Sequence, residues 1–305
     1  MTGSAALSRW ARRAIPWSHW LTAVRPATLL AAVAPVLVGA AAASSVEERF
    51  RPLVFAATLA AAVLLQIGTN LANDLFDFER GADTAERLGP PRVTQSGLIP
   101  PERVRLGMFL SFGAALAIGV YLLFVGGWPI LVIGVLSIVA GVAYTGGPWP
   151  LGYHGLGELM VFVFFGLVAV VGTYYLQAET VSATAFLAAV PVGLLVTAIL
   201  VVNNLRDIET DRRAGKRTLA VLLGDRATRV QYALLVLGSY ACVPALLLAD
   251  ASFWVWLAWL TLPIALMLSR GVLLGAAGAD LNAVLKRTAQ LDFAFGALLA
   301  LGLLL

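Results

Sequence analysis

The sequence predicts an all-α, polytopic membrane protein of about nine transmembrane helices, and two observations carry this prediction. Of the 305 residues, 60% are hydrophobic and only 12% are charged, against roughly 25% charged in an ordinary soluble domain. The apolar residues are also grouped into nine stretches near the length that a helix needs to cross the hydrocarbon core. We interpret residues 1–305 as a single transmembrane domain.

The nine predicted spans follow one another with short connections, except where polar loops intervene. In order they are Val24–Ser44, Leu53–Phe76, Val104–Val125, Trp128–Tyr144, Leu156–Gln177, Val181–Val202, Val230–Leu248, Ser252–Leu274 and Ala289–Leu305. The fourth and ninth are the shortest. Residues 1–20 precede the first span, and their arginines and tryptophans predict an amphipathic helix in the membrane interface.

The distribution of basic residues predicts the orientation of the chain. If the N-terminus is cytoplasmic, 19 of the 21 Lys and Arg residues lie on the cytoplasmic side, and only Arg49 and Arg51 lie on the other. Such an asymmetry is typical of cytoplasmic loops. The net charge of +4 therefore reflects topology and does not argue for nucleic acid binding. The single cysteine, Cys242, excludes a disulfide within the chain or a thiolate metal site.

A polar stripe runs along the second predicted span, which ends in QIGTNLANDLFDFERGAD. Gln66, Asn70, Asn73 and Asp77 are spaced by four, three and four residues, so they share one face of a helix. Ionisable groups at membrane depth are costly and indicate a functional site. Asp83 follows six residues after Asp77, and the intervening glycine permits a bend that returns this acid to the stripe.

A second copy of this motif ends the sixth predicted span, where NNLRDIETDRRAG aligns with the first copy at an offset of 130 residues. The acids of the two copies are then on helices that open to the same side of the membrane. This predicts one shared site at their cytoplasmic ends. The second copy contributes Asn203, Asp207 and Asp211 on one helix face, with Arg206 and Lys216 close by.

The ligand chemistry follows from the residue types. Several carboxylates in a medium of low dielectric repel one another unless a cation lies between them. Ligands that are all oxygen, without His or Cys, select a hard ion such as Mg²⁺, which prefers carboxylates together with substrate phosphates. The motifs therefore predict Mg²⁺ bridging a diphosphate, with the nearby Arg and Lys side chains on the remaining phosphate charge.

Two further basic residues have both a structural and a functional interpretation. Arg25 lies at the start of the first span. Its side chain either reaches the lipid headgroups or provides a cation at the mouth of the site. The Pro- and Gly-rich residues 86–101 connect the second and third spans. They form either a passive connector or a lid with Arg92 as a phosphate ligand, and we favour the lid.

The loop after the fourth span reads YTGGPWPLGYHGLGE. Its glycines allow close approach of backbone to a ligand, and Tyr144, Trp149 and Tyr153 suit an aromatic pocket. The same composition is also common in ordinary connectors, so the residues alone leave both interpretations open. Glu158, just inside the fifth span, needs a partner because it carries a carboxylate into the membrane.

Taken together, these segments resemble the UbiA superfamily of intramembrane aromatic prenyltransferases. The resemblance rests on NDLFDFERGAD, YTGGPWPLGYHGLGE and NNLRDIETDRRAGKRTL, and it extends from about Trp20 to Gly224. Most members place the second acid of the first motif four residues after the first. Here Gly81 holds that place and the acid is Asp83, a spacing that resembles the menaquinone branch of the superfamily.

The resemblance implies a UbiA-like fold of nine helices around a central cavity, with a mobile cytoplasmic cap. It implies transfer of a polyprenyl group from polyprenyl diphosphate to 1,4-dihydroxy-2-naphthoate with decarboxylation. The polyprenyl tail would leave through a lateral opening into membrane lipid, and Tyr144 would shield the allylic cation. By matching positions, the metal and diphosphate ligands would be Asn73, Asp77, Asp83, Asp207 and Asp211, with Asn203 supporting them.

Other classes of protein share some of these features. A cation-coupled transporter also places repeated acidic residues near a cavity, but transporters bind near the midplane, often through inverted repeats, whereas this repeat is parallel. Phosphatidyl transfer from CDP-lipids uses an acidic DGxxAR motif that the sequence lacks. Within the superfamily, an enzyme acting on 4-hydroxybenzoate or haem is the alternative. The carboxylate of the acceptor needs a cation, for which Arg25, Arg206 and Lys216 are candidates.

Overall fold

The computed structural model describes residues 15–82 and 88–305. Within them the chain forms helices joined by short loops. These are α1 (Trp17–Val24), α2 (Pro26–Glu47), α3 (Pro52–Glu79), α4 (Pro101–Gly126), α5 (Trp128–Ala143), α6 (Gly157–Ala178), α7 (Ala183–Arg213), α8 (Leu219–Leu223), α9 (Asp225–Ala249), α10 (Phe253–Leu273) and α11 (Asp280–Leu304). In the described ranges, eight of them are long and apolar enough to cross a membrane, and α5 is a shorter apolar helix.

The predicted all-α membrane fold is therefore confirmed. Each predicted span corresponds to one helix, with α5 as the fourth. Of the predicted interfacial helix, residues 1–14 lie outside the described part, and Trp17 lies in α1 with 75% of its surface exposed. Prolines at the first turn begin α2, α3 and α4, where the missing N–H has no intrahelical partner to lose.

Two predicted boundaries differ substantially from the structure. Helix α7 continues to Arg213 although its apolar stretch stops at Val202, and α11 begins at Asp280 although its stretch starts at Ala289. Hydropathy falls where charged residues begin, but the hydrogen-bonded helix does not end there. In α7 the first of the extra turns is buried, and Arg206 and Asp207 in it pair with each other, so the helix carries these two charges into the protein interior.

Helix α7 lies at the centre of the bundle and packs against α2, α6, α9 and α11. Small residues bring α6 and α7 into close contact, because a Cβ added to Gly166 would lie 2.7 Å from the Cα of Gly193. The adjoining stretch of α6, Phe162–Val168, is a π-helical segment, a geometry that occurs often at functional sites. Helices α3, α4 and α5 pack together on the other side, and a cavity separates the two groups.

Candidate active site

The cavity has a volume of about 420 Å³ and is lined mainly by α2 to α7. Most of its wall is apolar, and the polar residues gather where α3 and α7 approach their C-terminal ends. Leu122, Ile130 and Leu176 lie at the other end of the wall. The cavity therefore joins a polar head site to an apolar interior.

The whole stripe predicted on α3 lines this cavity. The amide of Asn70 donates to the carbonyl of Val24, with an N···O distance of 2.8 Å, and to the hydroxyl of Thr28, at 3.0 Å. The oxygen of Asn73 accepts a hydrogen bond from Thr145 at 2.9 Å. Gln66 donates weakly to Asn70 at 3.4 Å, and its own Oε1 is buried without a hydrogen-bond partner.

Lys216 brings the two acidic motifs together. Its ammonium lies 3.1 Å from Oδ2 of Asp77 on α3 and 4.0 Å from Oδ1 of Asp211 on α7. Arg92 approaches the same Oδ2 of Asp77 at 3.3 Å. Asp77, Arg92 and Lys216 are all more than nine-tenths buried. The sequence repeat therefore corresponds to one shared site, in which two cations hold a carboxylate of the first motif.

Arg206 has a different position from the one expected of a phosphate ligand. It is outside the cavity lining and donates to both carboxylate oxygens of Asp207, at 2.8 and 2.6 Å. It also bonds Asn203 and Asn282, each at 2.8 Å. Asn282 in turn donates to the carbonyl of Leu88 at 2.9 Å. Arg206 thus neutralises Asp207 and ties α7 to the charged first turns of α11.

Asp74, which the sequence analysis did not select, holds the segment between α3 and α4. The side chain is 1% exposed and accepts the backbone N–H groups of Val93 at 3.1 Å and Thr94 at 2.9 Å. The hydroxyl of Thr94 also donates to it, and Arg25 approaches it at 4.0 Å. Residues 88–100, which we call the cap segment, are thereby fixed over the site with Arg92 beside Asp77.

Asn204 occupies the position of Asp74 in the second copy of the repeat, and it too holds a loop. Its amide donates to Oε1 of Glu158 at 3.0 Å, at the start of α6. Glu158 is 7% exposed, and its other oxygen has no hydrogen-bond partner. The partner that the sequence analysis required for Glu158 is therefore Asn204. The sequence signal for Asp74 and Asn204 is that each is the second residue of a pair, ND in the first copy and NN in the second, at the same place in the repeat.

Of the predicted site residues, most line the one cavity. Asp83 and the adjoining residues 84–87 lie outside the described part of the chain. No group of three or more His, Cys, Asp or Glu residues in the described part is arranged to hold a metal, because the acids here face Arg and Lys. The predicted site residues that line the cavity are Arg25, Gln66, Asn70, Asn73, Asp77, Arg92, Tyr144, Asn203, Asp207, Asp211 and Lys216.

Comparison with known proteins identifies related sequences over most of the chain. The UbiA prenyltransferase family matches residues 32–288. A 1,4-dihydroxy-2-naphthoate octaprenyltransferase of Escherichia coli is 40% identical in an alignment of 296 residues that covers 94% of this chain and 95% of that one. The Mycobacterium tuberculosis protein of the same name is 40% identical over 274 residues, which are 89% and 92% of the two chains.

Solved structures share the fold at much lower identity. The apo structure of a UbiA homolog from Aeropyrum pernix K1 has a TM-score of 0.70 at 16% identity, covering 88% of this chain and 96% of that chain. The structure of a UbiA homolog from Archaeoglobus fulgidus bound to GPP and Mg²⁺ has a TM-score of 0.63 at 14% identity, covering 92% and 99%.

Proposed function

The chain belongs to the UbiA prenyltransferase family, and on that premise we propose that it transfers a polyprenyl group from polyprenyl diphosphate to 1,4-dihydroxy-2-naphthoate. CO₂ is lost, and the product is demethylmenaquinol, an intermediate of menaquinone synthesis. The observation that carries the proposal is the meeting of two acidic helix ends and two cations at the head of an apolar cavity. The acceptor is supported by relatives at 40% identity that are named for this naphthoate.

The chain is a multi-pass membrane protein, since eight of its described helices are of membrane length. We propose that the N-terminus and the mouth of the cavity are cytoplasmic. The support is the asymmetry of the Lys and Arg residues, of which 19 of 21 fall on that side. The diphosphate head would then enter from the cytoplasmic surface while the prenyl tail stays within the bilayer.

The donor set fits a hard divalent cation, because the polar end of the cavity offers carboxylate and amide oxygens, and its described lining contains no Cys or His. We propose that Mg²⁺ is held by Asn73, Asp77, Asp207 and Asp211, with Asp83 as a further ligand. When bound, the metal stabilises negative charge on the leaving diphosphate. A prenyl diphosphate and Mg²⁺ together occupy a related protein of the same fold.

Arg92 and Lys216 contribute the protein's own positive charge at the diphosphate site. Both are bound to Asp77 in the structure, and phosphate oxygens are strong acceptors for the same donors. We propose that both side chains pass from Asp77 to the diphosphate when it binds. The cap segment moves little in this exchange, because Asp74 continues to hold the residues next to Arg92.

The acceptor needs a cation for its carboxylate, and the geometry favours Arg25 among the three candidates. Arg206 is committed to Asp207, and Lys216 lies between the two acidic motifs. Arg25 lines the cavity and its side chain is 25% exposed. Gln66 lies on the same wall with a buried oxygen that has no hydrogen-bond partner, so it suits a ring hydroxyl of the acceptor.

The remaining wall shields the reacting carbon and accommodates the tail. Tyr144 and Phe164 line the cavity, and aromatic faces attract a cation while they exclude water. Leu116 on α4 and Leu131 on α5 also line it, although both are about half exposed on the outer surface of the helices. We propose that the tail leaves the cavity between α4 and α5 into lipid.

The bond changes balance without an added reductant or oxidant. The C–O bond between the prenyl group and the diphosphate breaks, and the ring carbon that carries the carboxylate bonds to the allylic carbon. The bond from that ring carbon to the carboxylate then breaks, which releases CO₂ and returns the electron pair to the ring. Proximity of the two substrates in one cavity supplies much of the entropic advantage.

The test uses purified protein in lipid with octaprenyl diphosphate, Mg²⁺ and acceptor labelled with ¹³C at the carboxylate. The expected result is one labelled CO₂ for each prenylated quinol formed, and loss of both products when EDTA removes the metal. 4-Hydroxybenzoate serves as the competing acceptor. Retention of label in the product, or a preference for 4-hydroxybenzoate, would overturn the proposed acceptor.

A further inference from the structure

Tyr153 lies where three loops at the polar end of the cavity meet. It ends the short helical turn Leu151–Tyr153 between α5 and α6, and it lines the cavity. Its carbonyl accepts the backbone N–H of Arg217, after α7, at 3.0 Å. From its loop sequence alone, Tyr153 is expected only to contribute to an aromatic wall.

The hydroxyl of Tyr153 contacts Asp77, the acid of the first motif that Arg92 and Lys216 approach. It donates to Oδ1 of Asp77 with an O···O distance of 2.5 Å, a short distance characteristic of a bond to a charged acceptor. Arg92 and Lys216 both approach the other oxygen, Oδ2. The two oxygens of Asp77 therefore have different kinds of partner. Oδ1 accepts a hydrogen bond from a neutral hydroxyl, and Oδ2 faces the two cations that we propose pass to the diphosphate.

The ring of Tyr153 contacts two cations of the same site. The ammonium of Lys216 lies 4.8 Å from the ring centroid and the guanidinium of Arg80 lies 5.7 Å from it, both within the range of cation–π attraction. Arg80 is itself fixed by the carbonyl of Thr145 at 3.1 Å. The ring thus restricts where Lys216 can go when it leaves Asp77.

We propose that Tyr153 is a positioning residue for the metal and diphosphate site. Its hydroxyl fixes the carboxylate plane of Asp77, so that Oδ2 remains directed to the place the cations now hold. Its ring keeps Lys216 at the head site. The inference rests on the proposed role of Asp77 as a metal ligand. Partners that orient a metal ligand typically change metal affinity or activity by 10- to 100-fold when removed.

The two contacts of Tyr153 can be separated by substitution. Tyr153→Phe removes the hydroxyl and keeps the ring, whereas Tyr153→Leu removes both. Tyr232→Phe is the matched control, because it removes a buried tyrosine hydroxyl that bonds Thr288 at 2.7 Å away from the cavity. The probe is Mn²⁺ with inorganic pyrophosphate, and bound Mn²⁺ is measured by electron paramagnetic resonance without any acceptor.

For Tyr153→Phe we expect Mn²⁺ affinity in the presence of pyrophosphate to fall by about 10-fold or more, with a fall in melting temperature no larger than that of Tyr232→Phe. Tyr153→Leu should in addition weaken pyrophosphate binding. Mn²⁺ affinity within twofold of wild type in Tyr153→Phe would overturn the inference. A fall in melting temperature larger than that of Tyr232→Phe would also overturn it, and so would an equal loss of Mn²⁺ affinity in Tyr232→Phe. Failure of wild-type protein to bind Mn²⁺ with pyrophosphate would instead refute the proposed metal site.

Discussion

Substitution of Asp74 by Asn should release the cap segment. The carboxylate accepts two backbone N–H groups, from Val93 and Thr94, and the hydroxyl of Thr94. An amide of the same size has one acceptor oxygen and presents N–H donors where the second acceptor stood. A hydrogen bond to a buried charged group contributes about 1.5–3 kcal/mol. Loss of one such bond and weakening of the others together cost about 3 kcal/mol.

A cost of about 3 kcal/mol raises the undocked fraction of the cap segment roughly 100-fold. Trypsin cleavage after Arg92 reports this fraction, since cleavage follows the open population when opening is fast relative to cutting. The measurement is the rate of appearance of the new terminus at Val93 by mass spectrometry. Asp225→Asn is the control, because it removes an exposed acid that pairs with Arg229.

If Asp74→Asn and wild type are cleaved after Arg92 at the same rate, Asp74 does not hold the segment. If Asp225→Asn accelerates the same cleavage equally, the effect reflects general loss of charge or stability. Activity should fall as the docked fraction of the cap segment falls, because Arg92 depends on its neighbours for its position beside Asp77.

Three other outcomes are expected. Asp77→Asn and Asp207→Asn should each lower turnover by at least about 100-fold in folded protein, whereas Asp225→Asn should not, and near-normal turnover in either site variant would refute a shared site. Mg²⁺ with a non-hydrolysable prenyl diphosphate analogue should slow tryptic cleavage of the cap segment, and equal rates would make that segment a passive connector. Gly193→Ala should destabilise by about 1–3 kcal/mol through overpacking, because its Cβ would lie 3.0 Å from the facing helix. Thermal melting checks this against Gly271→Ala, which has open space around it.

The sequence predicts the spans well because they follow from transfer of apolar side chains into lipid. The predicted spans are shorter than α7 and α11, because hydropathy cannot distinguish a charge in water from a charge with a buried partner. Arg206 illustrates the difference, since it is 6% exposed and bonded to both oxygens of Asp207. Such pairing depends on side chains that only the folded chain brings together.

The site was predictable where spacing carries the information and obscure where it does not. Helical periodicity places Gln66 to Asp77 on one face, and the structure confirms that they line the cavity. Asp74 follows Asn70 by four residues and so adjoins the stripe, but helical spacing does not distinguish a carboxylate that holds a loop from one that faces the cavity. Tyr153 lies in a loop whose Gly and Pro content resembles an ordinary connector, and its partners come from distant parts of the chain. Long-range contacts of this kind leave no local pattern.

The ion pairs at the head of the cavity have a consequence for the order of events in a catalytic cycle. Ion pairs at or next to the cavity wall join four described cations to four described carboxylates, and these are Arg25, Arg92, Arg206 and Lys216 with Asp74, Asp77, Asp207 and Asp211. Carboxylates that already pair with cations attract a bare divalent cation weakly, and the same pairing lowers the attraction of those cations for a bare diphosphate. The chelate of the two satisfies both sets of side chains at once. Metal and lipid pyrophosphate should therefore arrive as one species, so that the metal binds first to the substrate and not to the protein.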